Sequence, residues 1–447
     1  MHVPADDARD PPSIYARRAA PDPGEAFDGD RIVDVAVVGG GLTGLSAALH
    51  LAEAGARVSV VEARSIGWGA SGRAFGQLVP YLKHGHSETI AHYGAERGER
   101  IVDAIGNGPR FVFKLIERLG IDCDLVQTGL LFGAHSTAGQ RTLERRAAYW
   151  QGRGVPVAML DRTQSQAAIG GAPYYVGALL DPRGGHVNPL ALSRGLAHAA
   201  RRAGASIHTC TIANRLDRDG EHWRLDTEKG RILANDVVLA TNAYSGELCP
   251  GLRQSFIAMR GHGLVSRPLS ENARHAILPG RQPLTDTRRL FSGLRMLPDG
   301  HLHVSLDGPC LGPERGPFLR KANERVARLF PFLDAITWQE TWSGWIAVTR
   351  DQFPRVHELA PGLYAGFGYS GRGIVAATMI GAEIAKRIGG TADKDLVFPA
   401  SPLSPIRGHG LCAFPLRAVV TGYRLLDAWD EIRWHGGRTG GRRRSRC

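Results

Sequence analysis

The first firm pattern in the chain is Val33-Asp34-Val35-Ala36-Val37-Val38, a short β-branched run of the kind a buried parallel strand shows. Gly39-Gly40-Gly41 breaks that run. Leu42, Leu45, Ala48, Leu49 and Ala52 then recur at helical spacing over 42–54, and Gly55 supplies the stop. Arg57 to Glu62 predicts a second strand, so a complete βαβ unit is in place early. Residues 1–30, rich in Pro, Asp and Ala, predict an extended N-terminal arm. Ser87 to Trp150 predicts mostly helices with charged faces. Leu190 to Ala203 predicts a helix stopped by Gly204, followed by a strand from Ser206 to Cys210. Arg231 to Ala240 predicts a strand pair ending in Val237-Val238-Leu239-Ala240, and residues 246–345 read as mixed strands and turns suited to a substrate-facing sheet. Strand Leu363 to Gly366, a Gly-rich turn and an apolar helix to Ile388 return to the opening pattern. A Pro-rich linker from residue 400, a helix around Val419 to Ile432 and a basic tail close the chain, and no internal repeat is visible.

Elements of one nucleotide-binding domain are therefore scattered, with a second domain inserted between them. The predicted fold class is α/β with α+β, a doubly wound, Rossmann-like domain with an inserted mixed-sheet substrate domain. The expected boundaries are 31–82, 155–245 and 346–398 for the nucleotide-binding domain. Residues 83–154 and 246–345 are expected to form the substrate and helical domain, and 399–447 a linker, helix and tail. At 447 residues two domains are the natural expectation, because single cores stop growing at roughly 250–300 residues.

Composition changes this picture little. The hydrophobic fraction of 43% and charged fraction of 22% exclude a globally disordered chain. The net charge is +12, which can indicate nucleic acid, anionic membrane or acidic substrates. Only six of the 55 basic residues are Lys, and the Arg are spread along the chain, so the charge is discounted as a binding signal. The dense cluster is Arg438 to Arg446, read as a solvated tail. The six cysteines contain no CxxC, and no Cys/His group has zinc spacing, so no metal is expected. Met1 to Pro12 lacks an apolar signal region, and no apolar run reaches the ~18–20 residues that span a bilayer. A reduced, cytoplasmic protein, at most peripheral to a membrane, is expected.

Gly39-x-Gly41-x-x-Gly44 carries the chemistry. Gly39 permits the tight turn, Gly41 admits a pyrophosphate to the backbone, and Gly44 allows close helix–strand packing. The phosphates sit on a helix N-terminus, where free N–H groups favour anions. Glu62, 23 positions after Gly39, can accept ribose hydroxyls. The fingerprint alone does not choose between NAD and FAD.

Gly67-Trp68-Gly69-Ala70-Ser71-Gly72-Arg73-Ala74-Phe75-Gly76-Gln77 resembles the second flavin loop of the D-amino-acid-oxidase superfamily, and more narrowly that of the gamma-glutamylputrescine oxidase family. Ser13-Ile14-Tyr15, Val238 to Thr241, Trp342-x-Gly344, Phe353-Pro354, Gly368-Tyr369-Ser370-Gly371-x-Gly373 and Tyr423 to Asp427 extend the resemblance over nearly the full chain. It implies non-covalent FAD held by Gly39, Gly41, Leu42, Thr43, Gly44, Glu62, Ala63, Arg64, Gly69, Ala70, Ser71, Gly72, Gln77, Ile212, Ala240, Thr241, Gly371, Gly373 and Ile374. Phe75 and Arg372 depart from the family pattern, which has Gly and His there. Cys310 lacks the surroundings of a covalent flavin attachment.

No acid–base pair stands out, which fits hydride transfer from a neutral amine to flavin N5. Arg372, Tyr369 and Arg260 are the candidate catalytic residues. Arg372 would stabilise negative charge at the flavin, and Arg260, with His262 at the start of strand Gly263 to Ser266, would hold a substrate carboxylate. Trp342, Trp345, Tyr244 and Tyr369 line an aromatic pocket or pack a core, and His84 and His86 face substrate or lie in an exposed loop. The implied reaction oxidises a small amine or amino acid to an imine and then a carbonyl, with O2 as acceptor. Two alternatives stand beside it: a flavin dehydrogenase passing electrons to quinone at a membrane surface, and a non-catalytic FAD-bearing interaction protein. No nucleic acid is expected, because the tail lacks aromatic interleaving.

Overall fold

The computed structural model describes residues 13–22, 24–308, 315–411 and 413–436. The basic tail and Cys310 lie outside the described residues. The chain divides into two compact units, Met1–Leu125 with Val187–Met259 and Trp342–Gly410, and Val126–His186 with Arg260–Thr341 and Leu411–Cys447.

The first unit is built on a largely parallel sheet. Strands β1 (Arg31–Val38), β2 (Val58–Val61), β8 (Ser206–His208), β11 (Gly230–Leu239) and β18 (Leu363–Phe367) stand in the order β18-β11-β1-β2-β8, all parallel. β17 (Arg355–Ala360) pairs antiparallel at the β18 edge, and the hairpin of β9 (Ala213–Asp219) and β10 (His222–Thr227) joins β11. Val35, Ala36 and Val37 are fully buried between two neighbours, which is why this segment reads as an unbroken apolar run.

Helix α1 (Leu42–Glu53) packs against α7 (Pro189–Arg202) and α10 (Gly373–Ile388). Its approach to α10 is close enough that a Cβ on Gly381 would sit 2.3 Å from the Thr43 carbonyl oxygen. The short strand β3 (Gln77–Leu78) leads to α2 (His86–Tyr93), α3 (Ala95–Gly106) and α4 (Gly108–Leu119).

Three expectations change here. Residues 83–125 belong to the nucleotide-binding unit, because α4 packs on α7 and α10 and a Cβ on Gly108 would meet Val375 Cγ1 at 2.3 Å. From residue 13 on, the N-terminal arm is anchored on the core. Ile14 and Tyr15 are buried, Tyr15 donates its hydroxyl to the Ala74 carbonyl at 2.9 Å, and Phe27 lies in the core with Val33 and Leu225. Arg231 to Leu239 lies on one long strand, β11, with Ala240 just past its end, rather than forming a strand pair.

The second unit centres on a mixed sheet. Strands β4 (Leu130–Gly133), β5 (Ala158–Leu160), β6 (Ala178–Asp181), β12 (Ile257–Pro268), β13 (Leu284–Asp286), β14 (Ser292–Met296), β15 (His301–Asp307) and β16 (Trp338–Val348) take the order β16-β12-β15-β14-β13-β4-β6-β5. β7 (Gly185–His186), α5 (Thr137–Gln151), α6 (Arg162–Ile169), α8 (Glu271–Ala276), α9 (Arg315–Leu329) and α11 (Ala413–Gly436) complete the elements. Residues 155–186 fall here rather than with the nucleotide-binding unit, because β5 and β6 hydrogen-bond in this sheet. α9 was hidden in the sequence by its Arg and Lys. Phe318, Ala322, Val326 and Leu329 nonetheless fall on one face and are buried with Leu294 and Val304.

Candidate functional site

The carboxyl ends of β1, β2 and β11 converge on the fingerprint turn, the usual ligand position in an open α/β sheet. Gly39 has φ +114°, a conformation that L side chains rarely adopt, and a Cβ there would meet the Ala240 carbonyl at 2.9 Å. Gly44 is fixed by the same turn, since its Cβ would approach the Gly39 carbonyl to 2.1 Å. Gly41 is the N-cap of α1, and there the constraint is different: a Cβ would meet only the Ser71 side chain, at 2.9 Å from Oγ. The space before the helix N-terminus is thus left open by the protein, as a pyrophosphate requires.

Glu62 ends β2 with its carboxylate turned to this turn. Its Oε2 accepts Gly40 N–H at 2.7 Å and its Oε1 accepts Arg64 N–H at 2.9 Å. Burial pushes this carboxyl above the usual carboxylate range, and the two N–H donors and nearby Arg64 oppose that shift. Each oxygen keeps a lone pair for a ribose hydroxyl. Thr211 N–H donates to the Glu62 carbonyl at 2.9 Å, which sets the exposed Ile212 beside it.

The second glycine loop folds onto the first. Gly67 N–H donates to the Gly40 carbonyl at 2.9 Å, and a Cβ on Gly72 would meet the Gly67 carbonyl at 2.3 Å. Ser71 Oγ accepts Leu42 N–H at 3.0 Å, so a hydroxyl from one loop caps the helix of the other. Gln77, at the loop's end, is buried, and its Nε2 has no hydrogen-bond partner among the described residues. A buried amide without a partner at the end of this loop, and an open helix N-terminus in the same unit, fit a large polar cofactor, and the chemistry of the donor set fits a dinucleotide.

The late glycine turn also lies in this unit. Gly371 has φ +91°, Ser370 has φ +49°, and Arg372 is the N-cap of α10 without a side-chain cap. The Arg372 guanidinium donates to the Leu82 carbonyl. A cation at the positive end of a helix is unfavourable on its own, which suits a place where an anion is bound. Tyr369 is buried with its hydroxyl 2.5 Å from Thr43 Oγ1, tying this turn to α1. Burial pushes its phenol well above the ordinary value.

All nineteen cofactor candidates named from the sequence thus lie in one unit, while Arg260 lies in the other. It sits within β12 rather than before it, and Gly308 N–H donates to its carbonyl at 2.9 Å. Its neighbour His262 stacks on Phe318 at 3.6 Å, and burial with the Arg260 and Lys321 charges lowers its pKa to about 4. Of the aromatic candidates, Trp342 donates to the Arg73 carbonyl at 2.9 Å, and the Tyr244 hydroxyl accepts Trp345 N–H at 3.1 Å. These rings lock the second glycine loop to residues 342–348, the part of β16 that falls in the first unit. His84 is neither in an open loop nor unengaged. It stacks on Phe353 at 4.4 Å with Nε2 2.6 Å from the Asp351 carbonyl.

Sequence reasoning passed over a group in the second unit. His135, Asp427 and Asp430 bring ligand atoms within 4.8 Å of one another. Arg289 Nη1 already bridges the two carboxylates, at 2.7 and 2.9 Å. His135 and Asp427 are 292 residues apart in the chain, a pairing no local spacing signals.

Comparison with known proteins agrees with this geometry. The family described as FAD dependent oxidoreductase (DAO) matches residues 34–387. Gamma-glutamylputrescine oxidoreductase of Escherichia coli (strain K12) is 31% identical over 397 residues, covering 88% of this chain and 92% of that protein. Glycine oxidase of Geobacillus kaustophilus (strain HTA426) is 28% identical over 392 residues, covering 84% of this chain and 97% of that protein. The crystal structure of glycine oxidase from Geobacillus kaustophilus superposes with a TM-score of 0.68 at 25% identity, over 83% of this chain and 99% of that one.

Proposed function

The chain belongs to the DAO family of FAD-dependent oxidoreductases, and from that premise we propose that it oxidises the carbon beside the nitrogen of a small amine or amino acid. The observation that carries the reading is the locking of two glycine loops through Ser71 at the open N-terminus of α1, with the Glu62 carboxylate accepting Gly40 N–H in the same turn. The FAD that these residues would hold would supply a hydride acceptor at N5, and its reoxidation would pass two electrons and two protons to O2 as H2O2. The substrate, having lost a hydride from carbon and a proton from nitrogen, leaves as an imine, which water converts to a carbonyl and an amine. That one relative is named for gamma-glutamylputrescine and another for glycine supports a C–N substrate.

The chain's own residues have distinct tasks in this reading. Glu62 holds the ribose, and the N-termini of α1 and α10 hold negative charge. Arg372, oriented by the Leu82 carbonyl, adds a cation where charge develops. Tyr369 keeps the α10 turn seated on α1 through Thr43. Arg260 is the proposed anchor for a substrate carboxylate. Electron transfer to quinone at a membrane surface is the second reading, favoured by the exposed Leu425, Leu426 and Trp429 of α11. The free thiols of Cys123, Cys210 and Cys249 fit a reducing, cytoplasmic compartment.

The test is an anaerobic panel of amines, amino acids and hydroxy acids, followed by loss of flavin absorbance. Amines carrying an acidic group are expected to bleach the flavin. The rate should rise with pH to a plateau, because only the neutral amine releases hydride, and the apparent pKa should lie below the free amine's value of about 10. Arg372→Ala should slow reduction roughly tenfold or more, equivalent to ~1.4 kcal/mol. Reduction by hydroxy acids and by no amine would overturn the reading.

A further inference from the structure

Over its described side chains, 418–430, helix α11 carries most of its large apolar residues outward. On its inner side lie Val420 and Asp427, both buried. Asp427 and Asp430 both accept from Arg289 Nη1, and Asp430 Oδ2 lies 3.8 Å from the buried His135. Its outer side presents Leu425, Trp429, Leu426 and Val419, exposed by 68%, 58%, 49% and 45%. A helix on a water-exposed surface places its apolar stripe inward and its charges outward. Here the carboxylate clamp fixes the opposite rotation, so this face is held toward the outside by specific contacts.

The charges that flank this face in the sequence indicate what covers it. The segment after the helix carries Arg438, Arg442, Arg443, Arg444 and Arg446 without one acidic residue. A second copy of a chain of net charge +12 would bring two such runs together and repel. An anionic bilayer answers both features, taking the apolar side chains into its interface and the Arg onto its headgroups. We propose that α11 docks the enzyme on an anionic phospholipid surface, with Leu425 and Trp429 inserted.

Flotation of the full-length, FAD-loaded protein with vesicles tests this. Binding is expected to phosphatidylglycerol-containing vesicles and not to pure phosphatidylcholine, and to weaken as salt rises. The double variant Leu425→Glu/Trp429→Glu, at exposed positions, should bind at least roughly tenfold more weakly with flavin content and melting temperature unchanged. Wild type that stays in solution with phosphatidylglycerol vesicles overturns the proposal. So does a double variant that binds as tightly as wild type, which would leave charge alone at work. A dimer in light scattering that the same variant dissociates would assign the face to a second copy instead.

Discussion

The two units solve the problem of buried polarity in opposite ways. The first makes its site from backbone. Its polar groups are the N–H groups of Gly40, Leu42, Arg64 and Gly67, met by one carboxylate, one serine hydroxyl and a carbonyl. The second keeps ionised side chains in its interior. Asp286 is buried with Arg288 and Arg325 on its Oδ2 and accepts the Tyr175 hydroxyl at 3.1 Å. Arg295, also buried, lies 2.9 Å from His186 and 3.4 Å from His303, and burial together with this cation holds both rings well below the usual histidine value. A nucleotide must approach main chain, so its site calls for residues without side chains. The buried polar contacts of the second unit join residues of separate elements, Asp286 of β13 with Arg325 of α9 and Arg295 of β14 with His186 of β7.

Substitution in the backbone-built region should have the largest effect. Gly41→Val puts two methyl groups where only the Ser71 side chain now stands near, so the fold has room to adjust while the pyrophosphate does not. The variant is expected to fold and to carry no flavin. Absorbance at the flavin bands after gel filtration, with circular dichroism for the fold, checks both halves. Wild-type flavin content in the variant would show that Gly41 is not at the phosphates.

The charged interior of the second unit should respond through stability instead. Asp286→Asn leaves Arg288 and Arg325 partly buried without their counter-charge, a loss of ~3–5 kcal/mol for a broken buried pair. Burial would raise the Asp286 pKa, but Arg288 and Arg325 outweigh it and the net direction is down. The folded value therefore lies below the unfolded one, near ~3.9, and the stabilisation is present above that pH and lost as pH falls through the folded value. Denaturant midpoints of wild type and variant should differ widely at neutral pH and converge below pH ~4. A constant gap across that range would exclude the ion cluster as the source.

This contrast also explains what the sequence revealed. Gly39, Gly41, Gly44, Glu62 and the loop from Gly67 to Gln77 lie within 39 consecutive residues, and each glycine has a local reason to be there. Such a site is legible without knowing the fold. Asp286 and Tyr175 are 111 residues apart, and Arg295 and His186 are 109 apart. Nothing near either residue announces its partner. The domain boundaries failed for the same reason: residues 155–186 are assigned by β5 and β6 joining a sheet with β4 and β13, and pairing across such distances has no local signature. Ser71 stands between the two cases. The motif identified it, but only the fold shows that its partner is Leu42.

That link supports the smallest effect. Ser71 Oγ accepts Leu42 N–H at 3.0 Å, and its own proton remains for a phosphate oxygen at the same helix end. Gly41 has no side chain with which to cap α1, so the cap must come from the second loop. Ser71→Ala removes the cap and the donor together, each at about 1 kcal/mol. FAD affinity should fall by roughly fivefold to tenfold while the melting temperature of the flavin-free protein drops by a few degrees. Ser71→Thr, which keeps the hydroxyl, should recover most of both. Titration of flavin-free protein with FAD, beside thermal melts of the same samples, separates the two contributions. If the melting temperature falls and the affinity does not, Ser71 joins the loops without touching the cofactor, and the backbone alone carries the phosphates.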